Sequence, residues 1–163
     1  MGNSKSLDYT PRVQEIDIAK GQAKELSSEI YDALGLQGQV SKSGPGVSPC
    51  DQDPEVLYKV FHPWSVWGVS EQDMERSMQR LKDDLPRRGW KVVEFGPGNT
   101  GARYLELTAN STRRQFSVNI TFIDARRSAP GSPSSRKYNP SGIRVHLTSA
   151  CFRVPEGNKI DQY

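Results

Sequence analysis

The sequence predicts an α+β domain in which two helices pack on one face of an antiparallel sheet of about five strands, arranged as a meander. Two segments carry apolar residues at helical spacing, and several later segments alternate apolar with polar residues. Glycine-rich turns separate the later segments. The predicted order is helix, strand, helix and then four strands, so the simplest way to bury both helices is against one side of the sheet.

The length of 163 residues predicts a single domain. Only 34% of the residues are apolar, so part of the chain is expected to be loop or tail. We expect the domain to span residues 14–155, with disordered polar segments at 1–13 and 156–163. No apolar run approaches the length of about 18 residues that crosses a membrane, and no apolar signal segment precedes the domain, so the chain as given is expected to be soluble.

The first helix is predicted over residues 17–34, with Gly35 as its C-cap. Its apolar residues lie on one helical face: Ala19, Ala23, Leu26, Ile30 and Leu34. Residues 40–54 are rich in Ser, Gly and Pro and are predicted to form a loop. Residues 56–69 are extended in character, and Pro63 indicates an edge strand or two short strands with a kink.

Three aromatic residues of this extended segment form a candidate ligand or partner surface: His62, Trp64 and Trp67. They belong to the densest aromatic patch in the sequence. A cluster of this kind is more often core or the rim of a core, and that alternative is favoured.

The second helix has a marked start and stop. Ser70 is a candidate N-cap, with Asp73 three residues later, and Pro86 is predicted to end the helix after Leu85. The apolar stripe of this helix recurs at helical intervals: Met74, Met78, Leu81 and Leu85. A strand is predicted over 90–95, directly behind the turn at Gly89.

The remaining strands are predicted at 103–109, 116–122 and 143–152. The clearest alternation of apolar residues falls at Phe116, Val118, Ile120 and Phe122. The glycines of 96–101 do not have nucleotide-binding spacing and predict a hairpin loop. No cofactor is therefore predicted.

Residues 124–142 form a flexible basic insert, with four candidate partner-binding residues: Arg126, Arg127, Arg136 and Lys137. From residue 87 onward there are 13 basic and 5 acidic residues, so an anionic partner is one interpretation. A solvated, charged sheet edge is the favoured alternative. Nucleic acid is not favoured as a partner, because the insert has Tyr138 as its only aromatic residue and the sequence shows no recognition motif.

The sequence contains two cysteines, Cys50 and Cys151, and two histidines, His62 and His146, so no metal site is predicted. The cysteines are either buried thiols or one disulfide. A disulfide would close a loop of about 100 residues, which the chain-entropy model values at roughly 4–5 kcal/mol. Either histidine can meet a serine or an aspartate in a hydrolase site, but no spacing indicates this, and a structural or exposed histidine is favoured for each.

The sequence resembles small exported lipoproteins of actinobacteria over residues 19–155. The resemblance rests on the first helix, the Ser48-Pro49-Cys50 loop, the passage from Leu85 to Trp90, and the strand that ends at 148–151. It implies that Cys50 and Cys151 pair, that the protein is lipid-anchored outside the membrane, and that its function is unassigned. The chain lacks a signal peptide and a lipid-bearing cysteine, and we expect Met1 to replace that cysteine.

Taken together, these features predict an extracytoplasmic, lipoprotein-like domain that is membrane-anchored or secreted and binds without catalysis. Its predicted partner is an envelope protein or an anionic envelope component, and contact with the membrane is expected only through a lipid anchor that this chain lacks. Two alternatives stay open: a hydrolase, and a domain that binds nucleic acid or another anionic polymer through its basic C-terminal half.

Overall fold

The structure is a computed structural model that describes residues 7–99, 101–127 and 141–160. Two helices are present in the described residues, α1 (Ile16–Leu34) and α2 (Glu71–Arg87). These residues also form eight strands: β1 (Gln39–Val40), β2 (Gly46–Pro49), β3 (Leu57–Trp67), β4 (Lys91–Pro97), β5 (Leu105–Ser111), β6 (Phe116–Ile123), β7 (Gly142–Ser149) and β8 (Phe152–Arg153).

The strands form one antiparallel sheet in the order β1-β3-β7-β6-β5-β4, with β2 and β8 also paired to β3. The α+β class and the antiparallel sheet are therefore confirmed, and β4 to β7 form the meander. The predicted number of about five strands is wrong, because the described residues contain eight. The missed strands β1, β2 and β8 have only two to four residues, which is too short for alternation to be visible in a sequence.

Pro63 lies inside a single strand of 11 residues, so the predicted edge strand or kinked pair is wrong. On one side β3 pairs with β7 from Phe61 to Trp67. On the other side β1 ends opposite Val66 and β2 begins opposite Phe61, which leaves a gap beside Pro63. Because the missing N–H of Pro63 falls in this gap, the proline breaks no ladder hydrogen bond.

Two helix caps are formed by the residues that the sequence predicts. Gly35 ends α1 in the left-handed conformation with φ 65°, and the Ser70 hydroxyl accepts a hydrogen bond of 3.1 Å from the Asp73 backbone N–H. The end of α2 differs, because the helix includes Pro86 and stops at Arg87. The fully buried side chain of Leu85 holds the last turn in place, and tertiary packing outweighs the local preference of the residue before a proline.

Both helices cover the same face of the sheet, α1 over β3 and β7, and α2 over β4 to β7. The two predicted apolar stripes are buried in one core: Ala19, Ala23, Leu26, Ile30 and Leu34 of α1, and Met74, Met78, Leu81 and Leu85 of α2. The opposite sheet face has no helix over it in the described residues, and it carries polar side chains such as Asn119, Arg144 and His146. Neither helix of the described chain is both long and apolar enough to cross a membrane.

A disulfide joins Cys50 and Cys151, whose Cα atoms are 6.3 Å apart. The predicted covalent link is confirmed. It connects the turn after β2 to the turn before β8.

The segments on either side of the predicted domain contact the sheet where the structure describes them. Val13 forms a bridge with Arg153, and the Tyr9 hydroxyl accepts a hydrogen bond from the Cys151 N–H. The Ile160 N–H donates to the Glu55 carbonyl at 3.0 Å. Residues 9–13 and 160 thus contact the domain that was predicted to span 14–155.

Candidate functional site

A cleft of about 640 Å³ lies between α1 and the segment that leads from β1 to β2. This volume is in the range of small-molecule sites. The cleft is lined by Lys24, Ser27, Ser28, Tyr31 and Asp32 of α1, by residues 40–45, and by His62 and Trp64 of β3. We call it the α1 cleft.

The periodicities of strand β3 and helix α1 determine which of their side chains face the cleft. Alternation along β3 turns His62 and Trp64 toward the helices, and both are buried. The spacing of 27 and 31 along α1 puts Ser27 and Tyr31 on the helix face above them. The rings of Tyr31 and Trp64 meet edge to face, with centroids 6.2 Å apart.

The floor of the cleft is a hydrogen-bonded chain. The His62 Nε2 atom lies 2.8 Å from the Ser43 carbonyl oxygen, which can only accept, so Nε2 carries a hydrogen. In the neutral ring Nδ1 is then an acceptor, and the Ser27 hydroxyl donates to it at 2.8 Å. The Trp64 indole N–H donates to the same Ser27 oxygen at 3.0 Å. Helix, strand and loop are thereby joined through one buried network.

Charged residues stand at the rim of the α1 cleft. Lys24, Asp32 and Lys42 are exposed, and within the described residues none of the three has an ion-pair partner. Ser28 is also exposed at this rim. The cleft therefore combines an aromatic floor with free charges at its mouth.

A second cleft of about 490 Å³ lies beside α1 toward its N-terminal half. Three of its four charged groups are engaged with the protein: Arg114 forms a 3.1 Å ion pair with Glu29, and Arg12 donates to the Arg113 carbonyl. The fourth, Glu25, has no ion-pair partner within the described residues. This cleft therefore offers fewer free groups to a ligand than the α1 cleft does.

The three aromatic candidates separate in the structure. His62 and Trp64 both line the α1 cleft, whereas Trp67 is half-buried on the opposite face of β3. The histidine considered for catalysis, His146, is exposed on that opposite face, where it pairs with Pro63 and Asn119. The two histidines therefore belong to different faces of the sheet.

The basic candidates lie far along the chain from the cleft residues. The guanidinium of Arg126 contacts both carboxylate oxygens of Asp124 at 2.9 Å and Glu75 at 3.8 Å. The hydrogen bond from Arg126 holds the pKa of Asp124 below its usual value, although burial opposes this. Arg127 is exposed at the end of a short 3₁₀ turn. Arg136 and Lys137 lie outside the described residues, as do most positions of the predicted insert.

The predicted insert is folded at both of its ends. Ala125–Arg127 form the 3₁₀ turn, and the Ser141 hydroxyl accepts from the Ala125 N–H and donates to Glu71 of α2. Gly142 already belongs to β7. In the part of the chain that is described, no three His, Cys, Asp or Glu side chains are grouped to hold a metal ion.

Sequence reasoning singled out His62 and Trp64 but missed Ser27, Tyr31 and the loop at 41–45. A serine on an apolar helix face carries no chemical signature, and its partners are 35 and 37 residues away. The only available signal was that Ser27, Tyr31 and the polar residues Lys24 and Ser28 share one side of α1.

Comparisons with known proteins add no assignment: no protein-family model, no curated protein and no solved structure matches this sequence significantly.

Proposed function

We propose that this chain is an extracytoplasmic binding domain whose ligand site is the α1 cleft, and that it acts without catalysis. The observation that supports this proposal is the cleft itself, with a floor fixed by the hydrogen bonds among Ser27, His62 and Trp64. A site whose walls are held in place loses little conformational entropy when a ligand enters, which favours binding.

The disulfide supports the extracytoplasmic assignment, because disulfides persist in oxidising compartments and are rare in the reducing cytosol. We propose in addition that the mature protein is held at the membrane by a lipid on a cysteine ahead of Gly2, as in the exported lipoproteins that the sequence resembles. The lipid anchor is tested by adding an alkyne fatty acid to cells that express the natural gene and then looking for the label on the protein. Labelling that is lost when that cysteine is replaced supports the anchor, and a protein that takes up no label contradicts it.

Binding of the uncharged fluorophore N-phenyl-1-naphthylamine tests the cleft. We expect saturable binding at one site, and we expect Gly44→Trp to abolish it, because residue 44 lines the cleft and has open space around it. Gly21→Trp is the matched control, since Gly21 also has open space but lies outside the cleft. Equal binding by both variants, or no binding by the unmodified protein, would contradict the proposed site.

A second candidate function, hydrolysis, is favoured by one observation. In the neutral ring of His62, Nδ1 accepts a hydrogen bond from the Ser27 hydroxyl and Nε2 donates one to the Ser43 carbonyl, which is the order of nucleophile, base and orienting group in serine hydrolases. Two features oppose it. Ser27 is only 6% exposed, and the Trp64 N–H stabilises its oxygen instead of freeing it for attack.

A fluorophosphonate probe separates the two candidates. A hydrolase would be labelled at Ser27, the label would be lost in Ser27→Ala, and it would persist in the neighbouring control Ser28→Ala. We expect no labelling of the folded protein, as the binding function requires.

A further inference from the structure

We infer that the ligand of the α1 cleft is a single anionic amphiphile: one molecule with an acyl or comparable apolar body and a carboxylate, sulfonate or phosphate head group. The inference rests on the proposed function, because it takes the cleft to be the ligand site. It adds the chemical class of the ligand and the residues that select it.

The floor of the cleft selects an apolar body. The Trp64 N–H, the Ser27 hydroxyl and both ring nitrogens of His62 are all occupied by hydrogen bonds within the protein. A polar group placed on this floor would therefore lose its hydrogen bonds to water without gaining new ones, whereas an apolar group has no such hydrogen bonds to lose. Tyr31 and Val40 add further apolar surface to the walls.

The rim selects the head group. Lys24 and Lys42 outnumber Asp32, so the mouth of the cleft has a net charge of +1. Lys24 and Asp32 are eight residues apart on one helix, which separates their backbone positions by about 12 Å. A head group near Lys24 therefore lies away from the opposing carboxylate. Since none of the three charges is used by an ion pair within the described residues, an incoming anion does not displace a protein partner.

The shape of the site favours one molecule over a membrane surface. The cleft is bounded on one side by α1 and on the other by residues 41–45, and it holds about 640 Å³. A membrane-binding face instead presents many basic residues around an exposed apolar patch. The α1 rim has two lysines and one aspartate.

Three ligands with the same twelve-carbon tail test the inference: dodecanoate, dodecyl maltoside and dodecyltrimethylammonium, each below its critical micelle concentration. Affinity is measured by calorimetry and by displacement of N-phenyl-1-naphthylamine. We expect dodecanoate to bind about five-fold more tightly than the maltoside, which is the effect of one exposed charge pair, and the ammonium compound to bind most weakly. The preference is expected to decrease as salt is added.

Charge variants locate the selectivity. The double variant Lys24→Met with Lys42→Met keeps the aliphatic stems and gives the rim a charge of −1, so the preference is expected to reverse toward dodecyltrimethylammonium. Asp32→Asn is expected to strengthen dodecanoate binding further. Lys59→Met is the control, because Lys59 is exposed on the opposite face of β3 and its loss changes only the overall charge.

The outcomes distinguish the inference from the proposed function. If neither N-phenyl-1-naphthylamine nor any tail ligand binds, the cleft is not a ligand site and both proposals fail. If the fluorophore binds and no tail ligand does, the site stands and the inference is overturned. If all three bind equally and the lysine variants change nothing, the site stands and its anionic selectivity is overturned. Binding that occurs only with micelles or anionic vesicles, or that persists in Gly44→Trp, also overturns the inference, because it indicates a membrane surface or another site.

Discussion

Asp124 shows how one side chain holds the chain where it leaves β6. Its carboxylate is buried, with 6% of the side chain exposed, and accepts hydrogen bonds from the Arg126 backbone N–H and from two nitrogens of the Arg126 guanidinium. Arg126 also reaches Glu75 of α2. The basic residue that the sequence offers to an anionic partner is therefore engaged by two carboxylates of its own protein.

The Asp124 carboxylate gives the protein a pH-dependent part of its stability. Because the pKa of Asp124 in the folded state lies below its ordinary value, the stabilisation is present above that ordinary value and is lost as the pH falls through the lowered pKa. We expect Asp124→Asn to lower the free energy of unfolding by about 1 kcal/mol at pH 7 and to show a smaller deficit near pH 3. Urea unfolding at both values checks this.

Asp51→Asn is the control for this prediction, since Asp51 is exposed and makes no hydrogen bond through its side chain within the described residues. A deficit of the Asp124 variant that stayed constant between pH 7 and pH 3 would show that the ionised carboxylate is not its source.

At the scale of elements, the segment between β1 and β2 is fixed although its composition is that of a flexible loop. The Ser41 N–H donates to the Ser65 carbonyl, and the Ser65 N–H donates to the Ser41 hydroxyl. The Ser43 hydroxyl donates to the Pro63 carbonyl at 2.7 Å, inside the gap that the proline leaves. This wall of the α1 cleft is therefore held by hydrogen bonds to β3.

Gly38 allows β1 to approach β3, and we expect its replacement by alanine to separate them. A Cβ atom at this position would lie 2.3 Å from the Trp67 carbonyl oxygen, and a backbone oxygen cannot move aside as a flexible side chain does. Gly38→Ala is expected to lower the free energy of unfolding by about 1–3 kcal/mol. It is also expected to weaken probe binding in the cleft, because the loop wall begins at β1.

Gly44→Ala, in the same region, is the matched control: no heavy atom lies within 4 Å of the added Cβ, so we expect little change in stability. Chemical denaturation of both variants gives the comparison. Equal free energies of unfolding for the two would show that the close approach at Gly38 is not required.

At the scale of the whole molecule, periodicity predicted the parts that depend on local sequence. The stripes of α1 and α2 and the alternation at Phe116 to Phe122 identify both helices and the meander, because each face is set by residues close in the chain. The pairing of β1 and β2 with β3 and the chain from Trp64 through Ser27 to His62 depend on contacts between distant segments. Such contacts leave no periodic signal, so the residues that line the α1 cleft were not predictable apart from His62 and Trp64.

The Cys50–Cys151 disulfide joins two positions that are 101 apart in the sequence. It holds the start of β3 close to β8, where residues 9–13 also pack. In the chain-entropy model such a cross-link raises the free energy of the unfolded state, because it restricts the conformations available there. The stabilisation is therefore a property of the whole chain and not of contacts near the sulfur atoms.

Removal of the disulfide is expected to lower the free energy of unfolding by about 2–5 kcal/mol. The change is Cys50→Ser with Cys151→Ser, and the measurement is urea unfolding. The denaturant slope is also expected to increase, because an unfolded chain without the cross-link exposes more surface. Reductant should lower the stability of the unmodified protein to that of the variant and leave the variant unchanged. If the variant kept the full stability and the same slope, the cross-link would contribute nothing to the stability of the fold.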